Sequence, residues 1–482
     1  MKFKISRNVK GIVGVSFTNI ISLIISMLIS FILPLFLSVE GYGYWQLYVL
    51  YSGYAGILAF GFNDGIHLNY AGRDYDQSLW HEESTYIRFL TVMSIIETVI
   101  VNIVLVFLHF DAKTKYWVLV LTSLNILPTI LCGMISYINQ SSMRYRQYAI
   151  GHIVERVVFV VFMLILIVIG VKNPLVYIGM YTMSKYFTIV YHIITSSEAF
   201  KAVPTKLSTI KAPIKSNFSS GIVLMVATTL NTSIIIFSRL LVEHKFGIAE
   251  FSAYSFSLHT LTVASQFIVA VTAVFYPILK RCDDSKFRNA YKSFDESSSI
   301  LSALLLLTYY PAAILIAMVY KKYSSVLSYL FIVYPLFIFQ CKSNLLIINT
   351  YKVKLQTLKM LIMNAIGVFI NVVLTMIAYL TTKSVTVIAI ATLLGFIIWY
   401  YICQIEIHKQ YGWGFDAIDF SDLLVTVVFI AVNYFVYKTP YSMIVKELLG
   451  FGTCLLILGF VYLVFKRGIK QSIKNTLVVL DK

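Results

Sequence analysis

The chain has 482 residues, of which 59% are hydrophobic and only 13% are charged. A soluble domain has roughly 25% charged residues, whereas a lipid bilayer solvates apolar side chains itself. The composition therefore predicts an integral membrane protein and excludes a soluble enzyme. In a soluble protein the net charge of +17 would suggest nucleic-acid binding. Here the basic residues concentrate in loops between apolar stretches, so we expect no nucleic-acid partner.

Apolar stretches of about 20 residues, the length of a membrane-spanning helix, recur along the whole chain. In chain order, the predicted spans are Gly11–Val39, Tyr44–Phe62, Tyr86–His109, Tyr116–Ile138, Ile150–Gly170, Pro174–Ser196, Ser219–Val242, Ser252–Pro277, Ser297–Val319, Ser325–Asn349, Met360–Leu380, Val385–Gln404, Leu423–Tyr437 and Ile444–Phe465. Short segments of alternating apolar and polar residues, typical of membrane strands, are not seen in the sequence. The pattern predicts an all-α polytopic membrane protein with about 14 transmembrane helices.

The loops between the spans predict the orientation. Most of the 39 Lys and Arg residues lie in alternate loops, with dense groups in 201–218 and 280–296. Cytoplasmic loops carry such an excess of basic residues, so both termini are expected in the cytoplasm. Basic loops also attract anionic membrane lipids. None of the predicted loops is long enough for a separate catalytic domain, so we do not expect an enzyme.

A weak internal repeat relates span 1 to span 7. The segment 11–13 (GIV) recurs as 221–223, and Glu40 recurs as Glu250. Parallel repeats of this kind occur in transporters. We therefore expect two six-helix lobes related by a pseudo-twofold axis, plus two extra C-terminal helices. The predicted organisation is an N-terminal lobe at 1–200, a basic cytoplasmic linker at 201–218, a C-terminal lobe at 219–408, and spans 13 and 14 with a cytoplasmic tail at 409–482.

Basic residues inside spans are the strongest candidates for a functional site. They are Lys185, Lys342, Arg239 and Arg156. An isolated charge at the bilayer centre costs at least ~2.5–3.5 kcal/mol, so each must face a partner or a hydrated cavity. We predict that these four residues form a cationic substrate cavity.

Polar residues at helical spacing extend the predicted cavity over several helices. The clearest stripe surrounds Lys185 on span 6, and others lie on spans 8 and 11. The predicted polar lining is Tyr181, Thr188, His192, His259, Gln266 and Asn364. An alternative is that small and amide side chains only join helix pairs, and for Ser, Thr and Asn we favour that alternative.

Three acidic residues are candidates for ion coupling or ion pairing: Asp64, Glu97 and Glu155. Glu155 and Arg156 are adjacent, and neighbouring residues on a helix do not face each other. Each therefore needs a partner on another helix. For Arg156 we expect that partner to be Glu97 or Asp64. Because an ionised carboxylate within the membrane is costly, Glu97 is also a candidate proton carrier.

One segment carries a family resemblance. The stretch EGYGYWQLYVLYSGYAGILAFGFNDG, Glu40–Gly65, resembles Wzx-type polysaccharide repeat-unit flippases of the multidrug/oligosaccharidyl-lipid/polysaccharide (MOP) exporter superfamily. In that family an acidic residue, an aromatic residue and Gly precede span 2, and a Gly-x-x-Asp-like turn ends it. The continuation HLNYAGRDYD, through Asp76, is also similar. Unlike some relatives, this chain has no Arg in span 1, so span 1 is not expected to supply a cationic ligand.

The resemblance implies a flippase that moves undecaprenyl-diphosphate-linked oligosaccharide repeat units to the outer leaflet by alternating access, for cell-surface polysaccharide biosynthesis. It further implies a monomer in a bacterial cytoplasmic membrane, acting with the polysaccharide polymerase machinery and needing neither cofactor nor metal. The polar residues fit this substrate, because cationic groups compensate a buried diphosphate and hydroxyl or amide groups can hold a sugar.

Other function classes stay open at this point. An ion-coupled multidrug exporter of the same superfamily would have an acidic, aromatic cavity for cationic drugs, and the basic residues within the spans favour the flippase instead. A lipid-binding scaffold would need neither the repeat nor the buried charges. A glycosyltransferase is disfavoured because the first external loop has only a few residues, around Glu40–Gly43.

Overall fold

The structure is a computed structural model that describes residues 7–70, 73, 75–110, 112–281, 284–415 and 417–459. Within these ranges it does not describe the side chains of 7–20, 207, 263–264, 266–278, 280–281, 284–286 and 417–418. The chain divides into two compact units, Met1–Thr229 and Leu230–Lys482. Every regular element in the described ranges is helical, so the prediction of an all-α protein is confirmed.

The first unit is built from ten helices, the last of which continues into the second unit. They are α1 (Arg7–Phe36), α2 (Val39–Ser52), α3 (Phe62–Asn69), α4 (Gln77–Phe107), α5 (Lys113–Ser123), α6 (Ile126–Ser141), α7 (Tyr145–Ile169), α8 (Pro174–Thr195), α9 (Ser197–Lys201) and α10 (Leu207–Arg281), with a 3-10 turn at Ala55–Ala59. The segment predicted as a linker, 201–218, is helical from Leu207 onward, and the boundary between the units lies within α10.

The second unit continues with shorter and more broken helices. They are α11 (Asp284–Leu306), α12 (Tyr309–Met318), α13 (Leu327–Val333), α14 (Leu336–Lys342), α15 (Asn349–Val353), α16 (Thr357–Thr382), α17 (Val385–Tyr411), α18 (Ser421–Tyr437) and α19 (443–459), with 3-10 turns at Lys321–Val326 and Ala417–Phe420 and a π-helical segment at Ser343–Ile348.

In the part of the chain that the structure describes, seven helical stretches are long and apolar enough to cross a membrane, or eight if one bent pair counts as a single span. Two of the seven, Lys113–Ser141 and Phe287–Met318, each join two consecutive helices. Some of the additional predicted spans correspond to helices that merge or break, and predicted span 14 runs past the described residues. Predicted spans 7 and 8 both lie in α10, which is interrupted at Gly247 with φ 85°. Arg239 donates across this break to Ser255, so the two halves of α10 form a helical hairpin. Glycine adopts this positive φ without steric strain.

Predicted span 2 is broken because its end packs backbone to backbone against α10. Gly61 has φ 81°, and a Cβ on it would lie 2.4 Å from the Ile222 nitrogen. A Cβ on Gly221 would lie 1.9 Å from the Gly61 oxygen, and one on Gly65 would lie 1.9 Å from the Asn217 oxygen. Only residues without a side chain permit so close an approach. The turn GFNDG thus fixes α3 against α10.

Predicted span 10 is also broken. The helical segments Lys321–Val333 and Leu336–Val353 are bent by 53°, and Pro335 lies at the bend. Proline lacks the N–H that a continuous helix requires, and the π-helical segment that follows α14 is a second irregularity. Breaks of both kinds commonly occur at functional sites, and a cavity lies beside this one.

Candidate functional site

The second unit contains a polar cavity of about 340 Å³. Its walls come from both halves of the α10 hairpin, from α14 and the π-helical segment, and from Phe396 of α17. The polar residues lining it are Asn231, Thr232, Arg239, His259, Thr262, Ser265, Gln340, Ser343 and Asn344. Its size falls within the range of about 300–1,000 Å³ typical of small-molecule sites.

Arg239 is the cation of this cavity. Its Nε and Nη2 donate to the Ser255 hydroxyl at 3.3 and 3.1 Å, and its guanidinium carbon lies 5.5 Å from the centre of the Phe251 ring. Both partners follow Gly247 on the second half of the hairpin, so the turn positions them. A guanidinium held in this way presents a planar set of donors suited to phosphate or carboxylate oxygens.

The structure brings several predicted residues of spans 7 and 8 together here. Arg239 and His259 line the same cavity, and Thr262 lies on the His259 side of the hairpin, donating to the His259 carbonyl oxygen at 2.6 Å. The prediction for Gln266 falls on a side chain outside the described ones. Gln340 and Asn344 also line the cavity and were not predicted, although the polar run QCKSN (340–344) beside Pro335 in an apolar span indicates a polar helix face.

Lys342 does not line this cavity, which corrects the predicted location. Its side chain is fully buried and forms ion pairs with Asp295 of α11 and Asp422 of α18, while Nζ also donates to the Ser299 hydroxyl at 2.8 Å. The reason is helical geometry: at about 100° per residue, Lys342 lies roughly 200° from Gln340 and so faces away from the cavity. Lys342, Asp295 and Asp422 form what we call the buried ion triad.

Lys185 lies in the first unit within an ion pair. Its Nζ is 4.0 Å from Glu155 Oε1, and the two side chains are 13% and 27% exposed. The Nζ also lies 5.6 Å from the centre of the Tyr181 ring. Tyr181 in turn packs edge-on against Phe159, with ring centroids 4.7 Å apart. Glu155 therefore has a partner on another helix, Lys185, and its carboxylate partly neutralises that lysine.

The remaining residues of the predicted Lys185 stripe pack between helices. His192 is fully buried, and a Cβ on Gly151 of α7 would lie 2.9 Å from its ring. Thr188 is 5% exposed. Asn364 is likewise buried on α16, where a Cβ on the neighbouring Gly367 would lie 2.4 Å from Trp399 of α17. Thr188, His192 and Asn364 are therefore buried among packed helices, and their part in a substrate cavity stays a prediction.

A second cavity, of about 420 Å³, lies within the first unit. Asp64 and His152 line it together with Asn63, Tyr137 and Tyr148. Arg156 follows His152 by one helical turn on α7 and is partly exposed. Glu97 lies elsewhere, partly buried in the middle of α4, and among the described residues neither of its carboxylate oxygens has a hydrogen-bond donor.

The end of α3 and the segment that follows it, which carry the continuation of the resemblance motif, have a structural role. Asn69 Nδ2 donates to Asn217 Oδ1 at 2.9 Å, and the Tyr70 hydroxyl donates to Glu82 of α4 at 2.7 Å. Arg73 pairs with the same carboxylate at 3.1 Å. Burial raises the pKa of Tyr70, and the hydrogen bonds that Arg73 donates to Glu82 raise the pKa of Arg73. This network holds the loop between α3 and α4.

Comparison of the sequence with protein-family models and with curated proteins finds no match. Solved structures do match. The chain is similar to the lipid II flippase MurJ in an inward closed conformation, with 14% identity, TM-score 0.59, and coverage of 94% of this chain and 99% of that one. It is also similar to an inward-facing multidrug resistance MATE family transporter of the MOP superfamily, with 10% identity, TM-score 0.63, and coverage of 80% and 98%.

A third similar structure is a MOP superfamily transporter from Pyrococcus furiosus, described as having a binding pocket of reverse polarity that suggests a different function. It has 12% identity, TM-score 0.57, and coverage of 83% of this chain and 95% of that one. Identities this low establish the fold alone. The protein therefore has the fold of the MATE and MurJ transporters of the MOP superfamily.

Proposed function

We propose that this protein is a flippase that moves a polyprenyl-diphosphate-linked oligosaccharide from the cytoplasmic to the outer leaflet of a bacterial membrane, for cell-surface polysaccharide synthesis. The observation that carries the proposal is Arg239, held by Ser255 in a polar cavity on membrane-spanning helices. A diphosphate entering the membrane loses its hydration, and bidentate hydrogen bonds from a guanidinium offset part of that cost.

The rest of the cavity fits the same substrate. Amide and hydroxyl side chains, including Asn231, Gln340 and Asn344, lie beside Arg239 and can donate to the remaining phosphate oxygens. The lipid tail needs no protein site, because it can stay in the bilayer throughout the cycle. The likeness to MurJ supports a lipid-linked substrate, since MurJ is a lipid II flippase.

A multidrug exporter is the second candidate, and the cavity of the first unit favours it. Asp64 lies there with Tyr137 and Tyr148, and a carboxylate among aromatic rings is suited to an organic cation. Several similar structures are MATE multidrug transporters. If the protein is a multidrug exporter, replacing Asp64 should abolish transport, and replacing Arg239 should leave transport unchanged.

The first prediction concerns Arg239. Reconstituted protein is expected to translocate a short-chain polyprenyl-diphosphate sugar, and Arg239→Ala is expected to reduce the rate roughly 10- to 100-fold. This follows because charge-assisted hydrogen bonds contribute ~1.5–3 kcal/mol and each 1.4 kcal/mol is about tenfold. Arg239→Lys should retain part of the activity, since it keeps the charge and loses the bidentate geometry.

Lys245→Ala is the matched control, because Lys245 is an exposed cation on the same helix, beside the Tyr379 ring rather than in the cavity. It is expected to transport at the wild-type rate. Equal translocation rates for Arg239→Ala and Lys245→Ala would show that Arg239 does not bind the substrate. If the wild-type protein exports a cationic dye and translocates no lipid-linked sugar, the multidrug exporter becomes the better assignment than the flippase.

A further inference from the structure

The cavity of the first unit has features that Arg239 and the cavity of the second unit do not explain. It is about 420 Å³ and is lined by Gly53 and the 3-10 turn that follow α2, by α3, α6 and α7, and by α10 around Thr228. In the predicted orientation these helix ends lie on the cytoplasmic side. A hydrophilic group entering from the cytoplasm would meet this end of the unit first.

Asn63 is one of the residues that line this cavity. It is 8% exposed, and its Nδ2 donates to the Ile130 carbonyl oxygen at 3.0 Å. That bond fixes the amide orientation, because the reverse orientation would place two oxygens together. Gly133 leaves space for this amide, since a Cβ there would lie 2.9 Å from Nδ2. Asn63 Oδ1 is buried and accepts no hydrogen bond from any described residue.

A buried acceptor without a donor costs about 1–3 kcal/mol, so a ligand hydroxyl or N–H bound at Asn63 Oδ1 would recover that energy. Tyr148 and Tyr137 also line the cavity and supply aromatic surface. Tyr148 packs edge-on against His152 with ring centroids 4.6 Å apart, and Tyr137 lies against His67 at 4.9 Å. These contacts restrict both rings, so each can offer its face to a ligand at low entropic cost.

The chemistry of this lining matches a carbohydrate and opposes a diphosphate. The C–H face of a sugar ring carries partial positive charge and packs on the negative face of an aromatic ring. Carboxylate and amide oxygens accept from sugar hydroxyl groups. The Asp64 carboxylate in the same cavity repels a phosphate of like charge.

We propose that this cavity, with Asn63, Asp64, Tyr137 and Tyr148, is a recognition subsite for an uncharged sugar residue of the transported lipid. The proposal rests on the flippase function and specifies which part of the substrate the first unit binds. Asn63 Oδ1 accepts from a ring substituent, and Tyr148 stacks on the sugar ring. Selectivity among lipid-linked saccharides then depends on these four residues. The affinity for the diphosphate is independent of them.

The test compares two probes on the full-length protein in detergent. One is a short-chain polyprenyl diphosphate carrying N-acetylglucosamine, and the other is the same polyprenyl diphosphate without sugar. Asn63→Leu and Tyr148→Leu are expected to weaken binding of the sugar-bearing probe about tenfold and to leave the sugar-free probe unchanged. Tyr148→Phe keeps the ring and is expected to bind both probes like wild type.

Binding of the sugar-free probe also reports that each variant is folded. Equal weakening of both probes by Asn63→Leu and Tyr148→Leu, or no weakening of either, would overturn the sugar subsite while leaving the flippase intact. A wild type that binds neither probe would contradict the proposed function itself. Arg239→Ala should weaken the binding of both probes. This pattern distinguishes the diphosphate site from the sugar subsite.

Discussion

Adjacent residues on one helix have different roles in this protein. Gln340, Cys341, Ser343 and Asn344 line the cavity of the second unit, whereas Lys342 between them is fully buried in the ion triad. The sequence shows that a lysine in an apolar span needs a partner, yet it does not show which side of the helix the partner is on. The i, i+4 pair Gln340 and Asn344 defines the cavity face, and from that pair the direction of Lys342 follows.

The ion triad leads to a prediction about stability. Lys342→Met is expected to lower the free energy of unfolding by about 3–5 kcal/mol, because it leaves two buried carboxylates without their cation. Lys359→Met is the matched control: Lys359 pairs with Glu406, but its side chain is 34% exposed, and exposed pairs contribute only about 0–1 kcal/mol. Thermal unfolding in detergent measures both. Similar losses for the two variants would contradict this account of the triad.

At the scale of elements, the helix breaks position the candidate sites. Helices α7 and α8 begin and end close to the predicted limits, since Gly170 has φ 79° at the end of α7 and Pro174 begins α8. The bend at Pro335 and the interruption at Gly247 were less predictable, because hydropathy measures apolar length and not backbone continuity. The bend at Pro335 lies five residues before Gln340 of the cavity that contains Arg239, and Gly247 turns the hairpin whose two halves line it.

The contact between α3 and α10 gives an element-scale prediction. Gly221→Ala is expected to destabilise the protein by about 1–3 kcal/mol, since its Cβ would lie 1.9 Å from the Gly61 oxygen and overpacking costs that much. Gly179→Ala on α8 is the control, because a Cβ there meets no described atom within 4 Å and alanine favours a helix. The account is contradicted if Gly221→Ala is as stable as Gly179→Ala.

For the whole molecule, the sequence predicted the all-helical membrane fold correctly because the length and number of apolar stretches largely determine it. The candidate site was harder. Arg239 and His259 meet because a hairpin turns at Gly247, and the predicted stripes contained both residues. Thr188, His192 and Asn364 followed the same spacing and are packed between helices. Spacing identifies a shared helix face, but whether that face meets a cavity or a neighbouring helix depends on tertiary packing.

Energy coupling belongs to this scale, and Glu97 is our candidate for it. Glu97 lies mid-helix on α4 with no hydrogen-bond donor among the described residues. We expect Glu97→Gln to abolish or flatten the response of transport to an imposed proton gradient, because the amide cannot exchange a proton in the pH range used. Transport by reconstituted protein, measured with and without the gradient, checks this. An unchanged response would exclude Glu97 as the proton carrier.

The central claim is that the wild-type protein moves a lipid-linked sugar, and leaflet translocation in proteoliposomes tests it most directly. A fluorescent short-chain polyprenyl-diphosphate sugar would be placed in both leaflets, and its accessibility to an external quencher would be followed over time. The account predicts protein-dependent exchange that Arg239→Ala slows at least tenfold. Vesicles with folded wild-type protein that exchange the lipid no faster than empty vesicles, while transporting a cationic dye, would contradict the claim.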